Sequence, residues 1–209
     1  MKSKRLIFTL LLSLLVGAQA FAQQETWLSQ IKEAGNGVTT IQAKLLQTKH
    51  IELLDQDVVS NGFLFFQDKK LSMVYEKPKG HQMIFNGDKF TIIKEGVPTS
   101  MNAKNNALLS ELGALLFACM KGQIQQAATL QDAAVMCEMV KGGIQVTLTR
   151  QPKGNEKRAF HKMTATYDKN TKIINEIVLY EQEGTYTRYA IQEVTLNKSL
   201  NPAVFQPIK

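Results

Sequence analysis

The chain has 209 residues, 44% of them hydrophobic and 21% charged, with a formal net charge of +7 and two cysteines. That length suits one domain with a sizeable core, and the positive charge comes without a basic helix or aromatic-basic interleaving, which excludes a nucleic-acid platform. No internal repeat or low-complexity segment divides the chain.

The first 22 residues read as a signal peptide. Lys2, Lys4 and Arg5 precede an apolar core from Leu6 to Val16, and Ala20-Phe21-Ala22 supplies the small-x-small cleavage pattern. The mature chain is therefore expected to start at Gln23, with cleavage after Ala20 as the second choice. The apolar core is far shorter than the ~20 residues of a spanning helix. No cysteine stands at the new amino terminus to take a lipid anchor, so the expected product is a soluble, monomeric protein of the periplasm. Losing 22 of 209 residues leaves a single domain of 187, and losing three cationic residues with no acidic one lowers the charge from +7 to +4.

In the mature chain a short helix is expected over Glu25 to Ala34, with Trp27, Leu28 and Ile31 on one side and Gly35-Asn36-Gly37 ending it. From Val38 to Ile51, Ile41, Ala43 and Leu45 alternate with Gln42 and Lys44, which marks a long strand. An Asp55-Gln56-Asp57 turn leads through Val58-Val59-Ser60 into the stretch from Asn61 to Ile93, around which the domain is organised. There Phe63 to Phe66 forms one strand, and Leu71, Met73 and Tyr75 alternate with Ser72, Val74 and Glu76 in the period-2 pattern of another. Lys77-Pro78-Lys79-Gly80 breaks the run, because proline fixes φ and removes a ladder donor. Asn86-Gly87 is a two-residue hairpin signal joining Met83-Ile84-Phe85 to Phe90-Thr91-Ile92-Ile93. Both faces of this meander carry apolar residues, so one face is expected to pack on protein and the other to line a space that side chains alone do not fill.

Glu95-Gly96 introduces a strand from Val97 to Met101, and Asn102 to Asn106 is a polar linker. Ala107 to Met120 then reads as a helix with a wide apolar face, on which Leu108, Leu112, Leu115 and Cys119 form one row and Leu109, Leu112, Leu116 and Met120 another. Gly113 in its middle costs about 1 kcal/mol relative to alanine, a mark of close packing or of mobility. A second short helix is expected over Ile124 to Thr129. Strands at Val135 to Val140, Ile144 to Arg150, Lys162 to Tyr167, Lys172 to Tyr180 and Thr185 to Leu196 bring the total to about eleven, and Asn201-Pro202 with Phe205-Gln206-Pro207 closes the chain as an extended tail. The expected class is mainly β with α: an incomplete antiparallel β-barrel capped by the N-terminal helix and a mid-chain helical lid.

The residues that carry chemistry are few. His50, His81 and His161 are widely spaced, with no helical HExxH and no cysteine cluster, so no metal site is expected. Glu52, Asp55 and Asp57 lack the glycine and terminal glutamate of a calcium loop. There is no Gly-x-Ser-x-Gly elbow and no nucleophile beside a histidine, so the chain is expected to bind rather than catalyse, without a cofactor. Cys119 and Cys137 are open to two readings: a disulfide tying the helix to the next strand, contributing about 3 kcal/mol, or two buried thiols. Lys69, Lys70, Lys77 and Lys79 gather at two turns as solvated hairpin ends. Beyond Met1, the methionines fall in or beside expected elements, where their adaptable thioethers suit a surface that accepts variable apolar shapes.

This order of features resembles the LolA family, the periplasmic carriers of outer-membrane lipoproteins. The likeness runs through the N-terminal helix, Ile41 to Gln47, Gly62-Phe63-Leu64-Phe65-Phe66, the strand ending at Pro78, Asn86-Gly87 before Phe90, the midway helix, and Asn201-Pro202 with Phe205. It rests on order and spacing rather than on any single motif. The resemblance implies an apolar cavity for acyl chains, lined here by Leu64, Phe66, Leu71, Met73, Tyr75, Met83, Phe85, Phe90 and Ile92, under a lid formed by Leu108, Leu109, Leu112, Leu115 and Leu116. It implies two partners as well, an inner-membrane transporter that releases the cargo and an outer-membrane acceptor. One departure stands out. The family usually carries an Arg-Pro pair after the Gly-x-Leu-aromatic strand, whose arginine is thought to hold the lid shut, whereas this chain reads Gln67-Asp68-Lys69-Lys70, and Lys69 is a donor without the planar fork of arginine. The expected function is shielding of lipoprotein acyl chains during transfer from inner to outer membrane, with a glycolipid or polyene lipid as the alternative cargo. A lipid-sensing adaptor is the second class, for which the related regulator fold brings a further domain that 187 residues do not hold.

Overall fold

The computed structural model describes residues 22–150, 160–181 and 184–208, so the expected leader lies, but for Ala22, outside the described residues. Helix α1 covers 22–36. Six strands follow: β1 (Thr40–Ile51), β2 (Gln56–Gln67), β3 (Lys70–Lys77), β4 (His81–Asn86), β5 (Lys89–Lys94) and β6 (Val97–Asn102). Helices α2 (Ala107–Met120) and α3 (Ile124–Leu130) come next, and then β7 (Ala133–Val140), β8 (Gly143–Arg150), β9 (Lys162–Tyr167), β10 (Ile174–Tyr180) and β11 (Tyr186–Leu196). All eleven strands form one antiparallel sheet in the order β6-β5-β4-β3-β2-β1-β11-β10-β9-β8-β7, open between β6 and β7 rather than closed into a barrel.

Alternation dictates which way each strand faces. In β2, Leu64 and Phe66 are buried while Phe63 and Phe65 are only half-buried, and in β8, Ile144, Val146 and Leu148 enter the same core. That core lies on the concave side, under α1, α2 and α3. Each fully buried leucine or phenylalanine contributes about 1.5–3 kcal/mol relative to exposure. The convex side of β3, β4 and β5 carries a smaller buried set, Ser72, Gln82, Ile84, Thr91 and Ile93. There the tail is more than an extended strand: Pro202–Phe205 is a 3-10 turn with Asn201 as its cap. Gln82 donates to the carbonyls of Val204 and Gln206 at 3.2 and 3.1 Å, and accepts from the Ile208 amide at 3.0 Å.

A turn moves by one residue and a helix end by two. Asn86 pairs with Lys89, so the β4–β5 turn is Gly87-Asp88 rather than Asn86-Gly87. Gly87 has φ +60° and Asp88 is not among the positive-φ residues, which is the arrangement of a type II′ turn with glycine first. Gly35, read above as a helix stop, lies inside α1. Its backbone does not demand glycine, but a Cβ there would overlap the carbonyl oxygen of Lys121, and one at Gly122 would overlap that of Ile31. These glycines let α1 close onto the end of α2. Gly35→Ala, which would gain about 1 kcal/mol in an open helix, should instead cost about 1–3 kcal/mol through overpacking, read as a lower midpoint in urea.

The β1–β2 hairpin ends in a 3-10 turn, Glu52–Leu54, whose leucines are exposed. His50 binds Asp57 through Nδ1 at 2.8 Å and Glu52 through Nε2 at 3.1 Å, and stacks on Tyr186 with centroids 5.1 Å apart. Those hydrogen bonds, Asp57 first, raise the His50 pKa above its ordinary 6.5. A raised value means that the stabilisation is complete below pH 6.5 and is lost as pH climbs through the folded-state pKa. Thermal midpoints should therefore fall across that window, and His50→Asn should flatten this part of the profile.

Candidate functional site

The residues expected to face a cavity do share one surface. On the concave side, the strand register aligns Phe90, Phe85, Leu71, Phe66 and Ile41 as one row across β5 to β1, and Ile92, Met83, Met73, Leu64 and Ala43 as the next. Tyr75 lies one level further along β3 and donates from its hydroxyl to Oε1 of Gln47. The space against these rows is filled. Leu64, Phe66, Leu71, Met73, Phe85 and Phe90 are each no more than 5% exposed, and Tyr75, Met83 and Ile92 are partly buried against the same cluster. Methionine does not collect at the site as a group: Met73, Met120 and Met163 are buried, Met83 is half-buried, and Met101, Met136 and Met139 are exposed.

Helix α2 does much of the filling. Asn106 caps it, its side chain accepting from the Leu109 amide at 3.2 Å. Leu115 and Leu116 are buried, Leu109 and Leu112 are half-buried, and Leu108 points to solvent at 37% exposure. Phe117 reaches Phe66 and Phe85, each at a centroid distance of 6.2 Å.

Open space appears at both ends of β4. A cavity of about 630 Å³ lies between the turns Asp68-Lys69 and Gly87-Asp88, the residues Ala103 and Lys104, and the faces of α2 and α3. Its walls are mainly apolar, with Leu109, Gly113, Ala114, Phe117, Ala118, Ala127 and Leu130 from the helices and Phe85 from the sheet. Of the nine sheet positions expected to line a cavity, only Phe85 borders this one, and of the five lid leucines only Leu109. Lys69, Lys104 and Lys121 stand on its wall with Asp68 and Asp88, and Lys104 pairs with Asp88 at 2.7 Å. A smaller cavity of about 150 Å³ lies at the other end, touching Tyr75, Met83 and Ile92.

Arg150 was not singled out from sequence, yet it fastens the helices. Its side chain is 2% exposed, bonded through Nη1 to Glu111 of α2 and through Nη2 to Gln131 at the end of α3, with its guanidinium 4.3 Å from the Phe160 ring centroid. The signal was legible: alternation places Arg150 on the same face of β8 as Ile144, Val146 and Leu148. Both cysteines are free thiols, not a disulfide. Burial pushes the Cys119 thiol well up and that of Cys137 up to about 11, so neither is a thiolate at neutral pH. Among the described residues no group of His, Cys, Asp and Glu is placed to hold a metal ion, and no helix is long and apolar enough to cross a membrane.

Residues 36–208 match the model of a family described as outer membrane lipoprotein carrier protein LolA. The chain belongs to the LolA family. No curated protein sequence matches it. Among solved structures, this LolA-family chain is similar to an uncharacterized conserved protein from Thermus thermophilus, with 10% identity, 88% of this chain and 93% of that one covered, and a TM-score of 0.50. It is also similar to a LolA superfamily protein from Nitrosomonas europaea (9% identity, 88% and 97% covered, TM-score 0.43) and to the lipoprotein LppX of Mycobacterium tuberculosis (13%, 85% and 98%, 0.45). At 10% identity, the likeness to the Thermus thermophilus protein shows the fold alone. Within the LolA fold of this chain, the arginine bonded to α2 and to the end of α3 comes from β8, at the opposite side of the sheet from the Gln67-Asp68-Lys69-Lys70 turn. Glu111→Ala, which leaves Arg150 buried without this carboxylate, should destabilise the domain by about 3 kcal/mol, and chemical denaturation with Glu111→Gln alongside checks it.

Proposed function

We propose that this LolA-family protein carries acyl chains across the periplasm, shielding those of lipoproteins between the inner and the outer membrane. The observation that carries the reading is the apolar-walled cavity of about 630 Å³ where the α2–α3 pair meets the hairpin turns, adjoining an apolar interior. Its volume falls within the roughly 300–1,000 Å³ of small-molecule sites. Its chemistry is that of a lipid tail: each methylene buried there contributes about 0.8 kcal/mol, while the lysines and the glutamines Gln123, Gln126 and Gln131 on its wall suit a polar head. The family supports lipoprotein as the cargo, and the leader-like sequence of residues 1–22 supports export. A membrane transporter that loads the protein and an outer-membrane acceptor that unloads it are the partners this role requires.

The test is titration with a fluorescent fatty acid. Ala114 is exposed on α2 and lies on the cavity wall, so Ala114→Glu places a carboxylate there without opening the core. Affinity should fall by about ten-fold, equivalent to about 1.4 kcal/mol, with circular dichroism unchanged. Undiminished binding by the folded variant would remove this cavity as the site.

A further inference from the structure

Strand β4 presents Phe85 and Met83 two residues apart and so on one face, about 7 Å from one another along the strand. Each borders a different cavity: Phe85 is the strand residue on the wall of the 630 Å³ space, and Met83 lies on the wall of the 150 Å³ space with Tyr75 and Ile92. Between the two runs the methionine pair Met83 and Met73, directly opposed across β4 and β3, whose unbranched thioethers adapt to an inserted chain more readily than branched side chains do.

The barrier between the spaces is aromatic. The Phe85 ring packs 4.7 Å from that of Phe90 and meets Phe117 edge-on at 6.2 Å. On its helix side it rests against Gly113, where a Cβ would come within 3.0 Å of Phe85 Cε1. Gly113 is in the interior of α2 with no positive φ, so the backbone does not call for glycine, and the ring accounts for it. The ring thus stands between the larger cavity and the methionine level, where Met83 borders the smaller cavity.

We infer that the two cavities are the ends of one acyl channel and that Phe85, seated against Gly113, is the gate that sets how long a chain the protein accepts. The occupant is one straight acyl chain of the lipid cargo, for which a free fatty acid serves as the probe. Lys69 lies on the polar part of the cavity wall beside the Lys104–Asp88 pair, and Leu109, Gly113 and Phe117 offer the tail apolar wall. With Phe85 in its present rotamer the chain ends at the ring. With the ring turned into another staggered well, the tail continues past Met83 to Tyr75. This inference rests on the carrier reading and adds a length limit and the residue that imposes it.

The experiment is a chain-length series of saturated fatty acids from octanoate to stearate, each displacing the fluorescent fatty acid from the full protein. In the unaltered protein, affinity should rise roughly four-fold with each methylene that finds apolar wall and then level off at the length that reaches Phe85. Phe85→Ala should move that plateau to longer chains by several methylenes. Phe85→Leu, which retains an apolar core residue and protects the test against loss of the fold, should move it part of the way. Met83→Phe alone should leave the plateau in place, and added to either Phe85 variant it should return the plateau toward the original length. An unchanged plateau in folded Phe85→Ala and Phe85→Leu overturns the gate while leaving the carrier intact. Failure of the unaltered protein to bind any chain overturns the carrier reading and the gate with it.

Discussion

The strand order contains one connection that does not join neighbours. Every hairpin from β1 to β6 and from β7 to β11 links adjacent strands, β1 pairs with β11, and only the step from β6 to β7 passes from one free edge of the sheet to the other. The curled sheet has an apolar concave face that must leave water, and the connection that has to cross the opening is the segment placed to cover it. Helices α2 and α3 are that segment. Their apolar composition, their docking against α1 through Gly35 and Gly122, and the attachment of Glu111 and Gln131 to Arg150 are all consequences of an edge-to-edge crossing over an open sheet.

Such a cover is held by few and unequal fastenings. At one end the contact is backbone against backbone, where two glycines remove the side chains that would keep α1 and α2 apart. In the middle it is apolar, from Leu115, Leu116 and Phe117 onto the phenylalanine row. At the far side it is one buried guanidinium. Apolar contacts allow small displacement at low energy because they are non-directional, whereas the Arg150 cluster is directional and desolvated, and losing one partner there is expensive. The register of the cover is therefore set by Arg150 together with the buried Tyr167 hydroxyl, which donates to the Cys119 carbonyl of α2 at 3.0 Å, and its affinity for the sheet by the leucines and phenylalanines.

Much of this was readable in the chain. Period-2 alternation located the strands of the central meander, and the residues picked by it, Tyr75 apart, fall into two cross-strand rows that the register brings together. The helical rows of α2 located the cover. Three features escaped for physical reasons. Gly35 and Gly113 serve partners distant in sequence, Lys121 and Phe85, so local rules for helix ends and helix propensity describe them incompletely. Arg150 follows three apolar residues in alternation, and its inward position is met by Glu111 and Gln131 from across the opening, partners that local pattern does not show. The location of the open space depended on how completely α2 filled the interior, a matter of volumes that hydrophobic pattern does not express.

The C-terminal tail gives the sheet a mechanical asymmetry. Gln82 grips Val204, Gln206 and Ile208 from the convex side of β4, so the strand that bears Phe85 and Met83 in front is splinted from behind. β6, by contrast, has all six residues exposed and the backbone of a free edge. A load placed on the concave face near this edge thus meets a splinted strand, β4, two places in from a margin that is paired on one side only.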